Sequence, residues 1–308
     1  MRAAGSLPSD YTAIGDDVAV VPRKGRGLVV KVDMLVEGTD VPQGMSYRQA
    51  ARKAVAACVS DFASKGVRPD SFLVSLGLRS GTTERQVGQL AQGFKDAAKQ
   101  WNLKLVGGDT NEAKELVIDC TMVGYANRIV ERRGAKPGDL LVVTGRFGLQ
   151  PAGLAILMRK AKADPPFRAR ATDSVLNPKP KLNVGIALAD YLTSAMDSSD
   201  GLARSLHTLA RASGVGFEVS TVPLAGGVRK FAKANGLSAE ELGLDGGEEY
   251  VIVGTVGARN LSAASRAARK ARGGLLVIGR ATKQEGRVIL GSGDSAVPIA
   301  DEGWTHLS

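Results

Sequence analysis

Apolar residues along this chain switch between a period of two and a period of three to four, which predicts alternating strands and helices. Segments 13–21 and 27–36 read as strands, rich in valine and broken by Pro22 and Gly25. Segment 47–65 reads as a helix, because Ala50, Ala51, Ala54, Val55, Cys58, Val59 and Phe62 recur at helical spacing and Gly66 stops the run. A strand over 71–78 and a helix over 83–101, with Thr82 or Thr83 as cap, come next. Apolar strands over 103–106 and 116–125 then flank what reads as a turn, Gly107-Gly108-Asp109-Thr110.

Turn-rich residues 132–139 mark a boundary, and the second half repeats the alternation without any internal sequence repeat. Strands are expected at 140–144, 216–219, 250–255 and 275–278. Helices are expected at 152–162, 182–192, 202–213, 228–235 and 261–272. The expectation is an α/β chain of two domains, 1–136 and 137–308.

The chain has 308 residues, 44% hydrophobic and 23% charged, in keeping with a globular protein large enough for two cores. No apolar run approaches the ~20 residues of a membrane span, and the first residues lack a signal peptide's apolar stretch, so the cytoplasm is expected. Cys58 and Cys120 lie within apolar patterns and read as reduced, buried thiols. With His207 and His306 the only histidines, structural zinc is excluded. The net charge of +10 raises nucleic-acid binding, yet the basic residues are dispersed and no stacking motif accompanies them. A basic excess around an acidic site suits anionic substrates equally well.

Carboxylates carry the chemistry. Gly15-Asp16-Asp17, Asp33, Ser60-Asp61, Gly108-Asp109, Asp197-Ser198-Ser199-Asp200-Gly201 and Gly246-Gly247-Glu248-Glu249 all sit at or near the ends of apolar runs, where a fold can gather them at one edge. Gathered acids repel one another unless cations lie between them, and an all-oxygen set points to magnesium and thence to phosphates. Asp61, on a helix face otherwise made of alanines, has two readings: a member of that set, or an exposed partner of Lys65 one turn on. Asp200 or Ser199 could instead cap the following helix.

The order and spacing of these segments, with Gly134-Ala135-Lys136-Pro137-Gly138-Asp139 and the terminal Gly303-Trp304, resemble the thiamine-monophosphate kinase family of the aminoimidazole-ribonucleotide-synthetase-like superfamily. The resemblance implies a two-domain α/β (α+β) fold whose N-terminal sheet serves dimerisation. It implies ATP-dependent phosphorylation of thiamine phosphate to thiamine diphosphate, with several Mg2+ ions, in a homodimer. By matching position, Asp17, Asp33, Asp61, Asp109, Asp197 and Asp200 look like metal ligands, and Gly108, Asp109, Arg132 and Ser199 like ATP contacts. Asp109, Arg132 and Asp200 look catalytic, while Glu248 and Trp304 look like contacts to thiamine. The chain departs from the family at Lys31-Val32, where Ser-Thr is common, at Thr39-Asp40, near a common histidine, and at Ser205, in place of an acid. Aminoimidazole ribonucleotide synthetase is the nearest rival, and a non-catalytic basic nucleic-acid-binding protein is the rival of another class.

Overall fold

The valine-rich segments of the first half form one five-stranded sheet in the computed structural model, which describes residues 15–303. In chain order its elements are β1 (Ala19–Val21), β2 (Gly27–Val36), α1 (Glu37–Asp40), α2 (Tyr47–Ser64), β3 (Pro69–Leu78), α3 (Glu84–Trp101), β4 (Lys104–Glu112) and β5 (Val117–Ala126). The strand order is β1-β2-β5-β3-β4. β2 pairs antiparallel with β5 from Gly27↔Ala126 to Val36↔Val117, and β4 lies parallel to β3 at the far edge.

Both long helices begin with a reciprocal capping box, Ser46 with Gln49 and Thr83 with Gln86, so two orphan N–H groups are satisfied at each start. Of the two threonines expected to cap the second helix, Thr83 does so. Gly66 ends α2 at a positive φ of 68°, and a Cβ there would lie 2.4 Å from that of Ala189, so a glycine is required twice over.

The second half forms a seven-stranded sheet. Its elements are β6 (Leu140–Val143), α4 (Leu149–Arg159), α5 (Pro165–Leu176), α6 (Leu182–Leu188), β7 (Leu192–Asp197), α7 (Leu202–Ser213), β8 (Gly216–Val219), α8 (Val228–Ala234), α9 (Ala239–Leu244), β9 (Ile252–Val256), α10 (Leu261–Lys270), β10 (Leu276–Thr282), β11 (Val288–Leu290) and β12 (Val297–Pro298). The strands run β12-β11-β8-β10-β6-β9-β7, which puts β7 at an edge.

Two local expectations are corrected, and one helix had not been expected. The helix expected over 182–192 stops at Leu188, and Leu192 opens β7. The pattern over Pro165–Leu176 went unread, and that segment is a helix with Asp164 as its cap. Gly107-Gly108-Asp109-Thr110 is no turn but the middle of β4; a Cβ on Gly108 would lie 2.1 Å from the Val74 carbonyl oxygen, so glycine lets the two strands approach.

The apolar interior is continuous across the two halves. Val55, Val59 and Phe62 of α2 belong to the same cluster as Leu188, Ala195, Ile252 and Ala264. α2 thus lies between the first sheet and the edge of the second, packing on β2 and β5 on one side and on α6 and β7 on the other. Cys58 and Cys120 are buried and unpaired, and no described helix is long and apolar enough to cross a membrane.

Candidate active site

An alanine-rich face lets α2 approach both sheets closely, and the few polar side chains on it are therefore buried: Lys53, Ser60, Asp61, Ser64 and Lys65. Each needs a partner, since an unpaired buried polar group is costly. Ser60 donates to Asp197 Oδ2 at 2.9 Å, and Ser64 donates to Asp17 Oδ2 at 2.8 Å. Lys65 reaches Asp16 at 2.5 Å and Asp17 at 2.9 Å, and donates to the Ala195 carbonyl at 2.7 Å. The exposed Lys65–Asp61 pair is ruled out: Lys65 is fully buried on other partners, and Asp61 is held instead by Lys31, at 3.0 Å.

Asp17, Asp61 and Asp197 converge. Each offers an oxygen, these oxygens lie within 4.8 Å of one another, and all three residues are buried. They come from the turn before β1, from α2 and from the end of β7, so the site sits at the seam of the two halves. Burial pushes the Asp61 carboxyl well above the usual carboxylate range, with Asp197 adding to it and Lys31 opposing. Burial, then the neighbouring Asp17, pushes Asp197 up to about 7. Burial would also raise Asp17, but Lys65 and Arg132 outweigh it and hold that carboxyl below its ordinary value.

Around this centre five carboxylates (Asp16, Asp17, Asp33, Asp61 and Asp197) face three fixed cations, Lys31, Lys65 and Arg132. The excess of negative charge and the all-oxygen donor set fit a hard divalent cation. The buried Ser198 hydroxyl, next to Asp197, has no hydrogen-bond partner among the described residues, so it offers a further oxygen to this centre.

The remaining expected residues fall in two groups. Asp33 adjoins the centre through Lys31, 3.5 Å away. Arg132 pairs with Asp17 and donates to the Gly15 carbonyl at 2.6 Å, while its backbone N–H donates to Asp16, so it clamps the Asp16-Asp17 turn. Asp200 and the exposed Ser199 follow Asp197; neither is the helix cap, since α7 starts from Gly201 without a side-chain cap. Glu248 lies beside them because its N–H donates to the Ser199 carbonyl at 2.6 Å, and its carboxylate pairs with Lys53. Glu248 and Tyr250 take left-handed φ values of 62° and 50°, unusual for residues with side chains and held by the bonds to Ser198 and Ser199. Gly108 and Asp109 stand apart, exposed on β4, three strand spacings or roughly 14 Å from β2. Trp304 lies outside the described residues.

The sequence reading passed over Lys53, Ser64 and Lys65 as site residues. A signal was available: Lys53 lies seven and eight residues before Ser60 and Asp61, and Ser64 and Lys65 follow those two by four, spacings that gather polar side chains on one side of an otherwise apolar helix.

Glu249 is buried at the start of α4, where its carboxyl accepts from the Gly148 N–H. Burial pushes it up to about 8, against the pull of the N–H groups of Gly148 and Leu149. The folded state therefore keeps a proton that the unfolded chain loses above its ordinary value of 4.5. The stabilisation is complete at or below that value and declines as pH rises towards 8, by on the order of a few kcal/mol. Glu249→Gln keeps the acceptor and removes the titration. Its urea-unfolding free energy is expected to fall less between pH 5 and 8 than that of the parent.

Residues 15–126 match the family model AIR synthase related protein, N-terminal domain, and residues 136–291 match its C-terminal counterpart. A thiamine-monophosphate kinase of Nitrosopumilus maritimus is 38% identical over 292 residues, covering 95% of this chain and 93% of that protein. The chain belongs to the thiamine-monophosphate kinase family. A thiamine-monophosphate kinase of Pyrococcus horikoshii is 36% identical over 300 residues, covering 97% of this chain and 92% of its own. A solved structure of AaThiL complexed with AMPPCP and TMP superposes with a TM-score of 0.85 at 28% identity, covering 96% of this chain and 92% of that one. Thiamine-monophosphate kinase likeness therefore extends over both halves whose seam holds Asp17, Asp61 and Asp197.

Proposed function

We infer that this chain transfers the γ-phosphoryl group of ATP to thiamine phosphate, yielding thiamine diphosphate and ADP. The observation that carries this is the buried acidic centre at the seam of the two halves, in a chain whose full-length relatives are thiamine-monophosphate kinases and whose structural match holds AMPPCP, an ATP analogue, together with TMP.

The acceptor is a phosphate oxygen already anionic at neutral pH, so the reaction needs no general base. That oxygen forms the new bond to the γ-phosphorus as the bond to the β,γ-bridging oxygen breaks, and ADP leaves with that electron pair. What the protein supplies is alignment and charge compensation. Asp17, Asp61 and Asp197 would hold Mg2+, with Asp109, Asp200 and the Asp33 oxygen not facing Lys31 as further ligands, and the ion would supply positive charge to the phosphate oxygens that approach one another. Arg132 keeps Asp17 in place and adds fixed positive charge beside it. Ser199 and Gly108 contact ATP phosphates. Glu248 complements the cationic thiazolium, aimed by its pair with Lys53, and Trp304 covers the ring.

The active form is a homodimer built on the first sheet. Val32, Met34, Leu73 and Tyr125 are exposed on its strands, Met34 at 62%, and β4 leaves an open edge with Leu105 and Val106 uncovered. A second copy covering these strands places Asp109 and Gly108 at the junction of the two chains. The cytoplasm, reducing and rich in ATP, suits the two free thiols.

Incubation of the purified chain with ATP, Mg2+ and thiamine phosphate is expected to give ADP and thiamine diphosphate in equal amounts. Absence of thiamine diphosphate at saturating substrates overturns the reading, and ADP formed only with an aminoimidazole precursor replaces it with the synthetase activity.

A further inference from the structure

Lys31 stands in the middle of β2, two residues from Asp33, and strand geometry turns both side chains to the face covered by α2. Its Nζ lies 3.0 Å from Asp61 Oδ2 and 3.5 Å from Asp33 Oδ1. The side chain is only 21% exposed, and its backbone is locked by the ten-pair ladder between β2 and β5. The ammonium thus sits between the buried oxygens of Asp17, Asp61 and Asp197 on one side and the more exposed Asp33 on the other. Asp61 belongs to both groups. With Oδ2 on Lys31, it has a second oxygen for an ion held with Asp17 and Asp197, so ammonium and divalent ion can share one carboxylate.

We propose that the Lys31 ammonium is a permanent counter-cation of this centre, bridging Asp33 and Asp61 where a further divalent ion would otherwise be bound. This rests on the reading of Asp17, Asp61 and Asp197 as a cation site. A tethered ammonium differs from an ion in two ways that matter here. It cannot diffuse away when nucleotide leaves, so Asp33 and Asp61 stay compensated between turnovers. It also has three N–H donors, and ion pairs to Asp61 and Asp33 engage at most two of them, leaving one for a phosphate oxygen.

The test counts Mn2+ bound to the nucleotide-free full chain, from the loss of the free-ion signal in electron paramagnetic resonance, for the parent, Lys31→Met and Lys31→Arg. The Met variant is expected to bind about one more Mn2+ per chain than the parent, while the Arg variant matches the parent. Where Met impairs folding, Lys31→Gln removes the charge with a polar side chain and carries the same expectation. An unchanged number of ions, bound more tightly by Met or Gln, overturns the proposal, because Lys31 would then be a competitor displaced by the metal. No Mn2+ on any of the proteins overturns it together with the cation site. The kinase reading fails independently, if the parent forms no thiamine diphosphate whatever its Mn2+ count.

Discussion

Asp197→Asn is expected to lower phosphoryl transfer by about 1,000-fold or more while making the metal-free protein more resistant to unfolding. Both effects come from one charge. Asp197 is buried beside Asp17 and Asp61, and burial and crowding hold its carboxyl near 7, so the charged form is disfavoured by the fold itself. Asparagine keeps an oxygen for the Ser60 hydroxyl but removes the charge that attracts a cation. The expected gain in the absence of metal is about 1–3 kcal/mol at neutral pH. ADP formation at saturating Mg2+ and urea unfolding in a chelator measure the two sides. Near-parental turnover would remove Asp197 from the active centre, whereas reduced turnover with reduced stability would make it a structural residue.

Lys65→Met is expected to cost about 3–5 kcal/mol, the largest loss of stability from any single side chain considered above. Its ammonium is fully buried, pairs with Asp16 and Asp17, and caps the Ala195 carbonyl, so removal leaves Asp17 with Arg132 as its remaining cationic partner. The loss is not that of a surface pair, which is worth under about 1 kcal/mol. Chemical unfolding of the single variant and of the double variant with Asp17→Asn provides the check. Part of the loss returns in the double variant if unpaired charge is its cause. An unchanged midpoint for Lys65→Met would show that the buried network contributes nothing.

Segments whose local pattern agrees with their tertiary role were legible in the sequence. α2 is the clearest case: apolar spacing and the stop at Gly66 define it, and the structure adds the Ser46 cap and close packing on both sides. The gathering of Asp17, Asp61 and Asp197 followed from their places at element ends. Pairing across the fold was not legible. Asp61 and Lys65 are one helical turn apart and invite a local pair, yet each finds a closer, drier partner on another element, Lys31 and Asp17. β7 was hidden because Ala187, Leu188 and Leu192 continue a helical period that the chain abandons for an edge position beside β9. The two glycines of β4 read as a turn because close approach to β3, which glycine permits there, leaves no trace in local sequence. Lys31 could be marked only as a departure from its family; that it binds two of the carboxylates needed coordinates.

The shared interior has a consequence for how the chain is made. Residues of α2 pack into one cluster with Leu188, Ile252, Ala264 and Ala268, the last of which lies more than two hundred positions downstream of Val59. As synthesis proceeds from the N-terminus, the first sheet can pair its strands while one flank of α2 still lacks its cover. That flank remains open until α6, β7 and then β9 have left the ribosome. Newborn chains of intermediate length therefore present a greasy helix side to the surroundings, and a host that lags in shielding it would accumulate truncated product in aggregates.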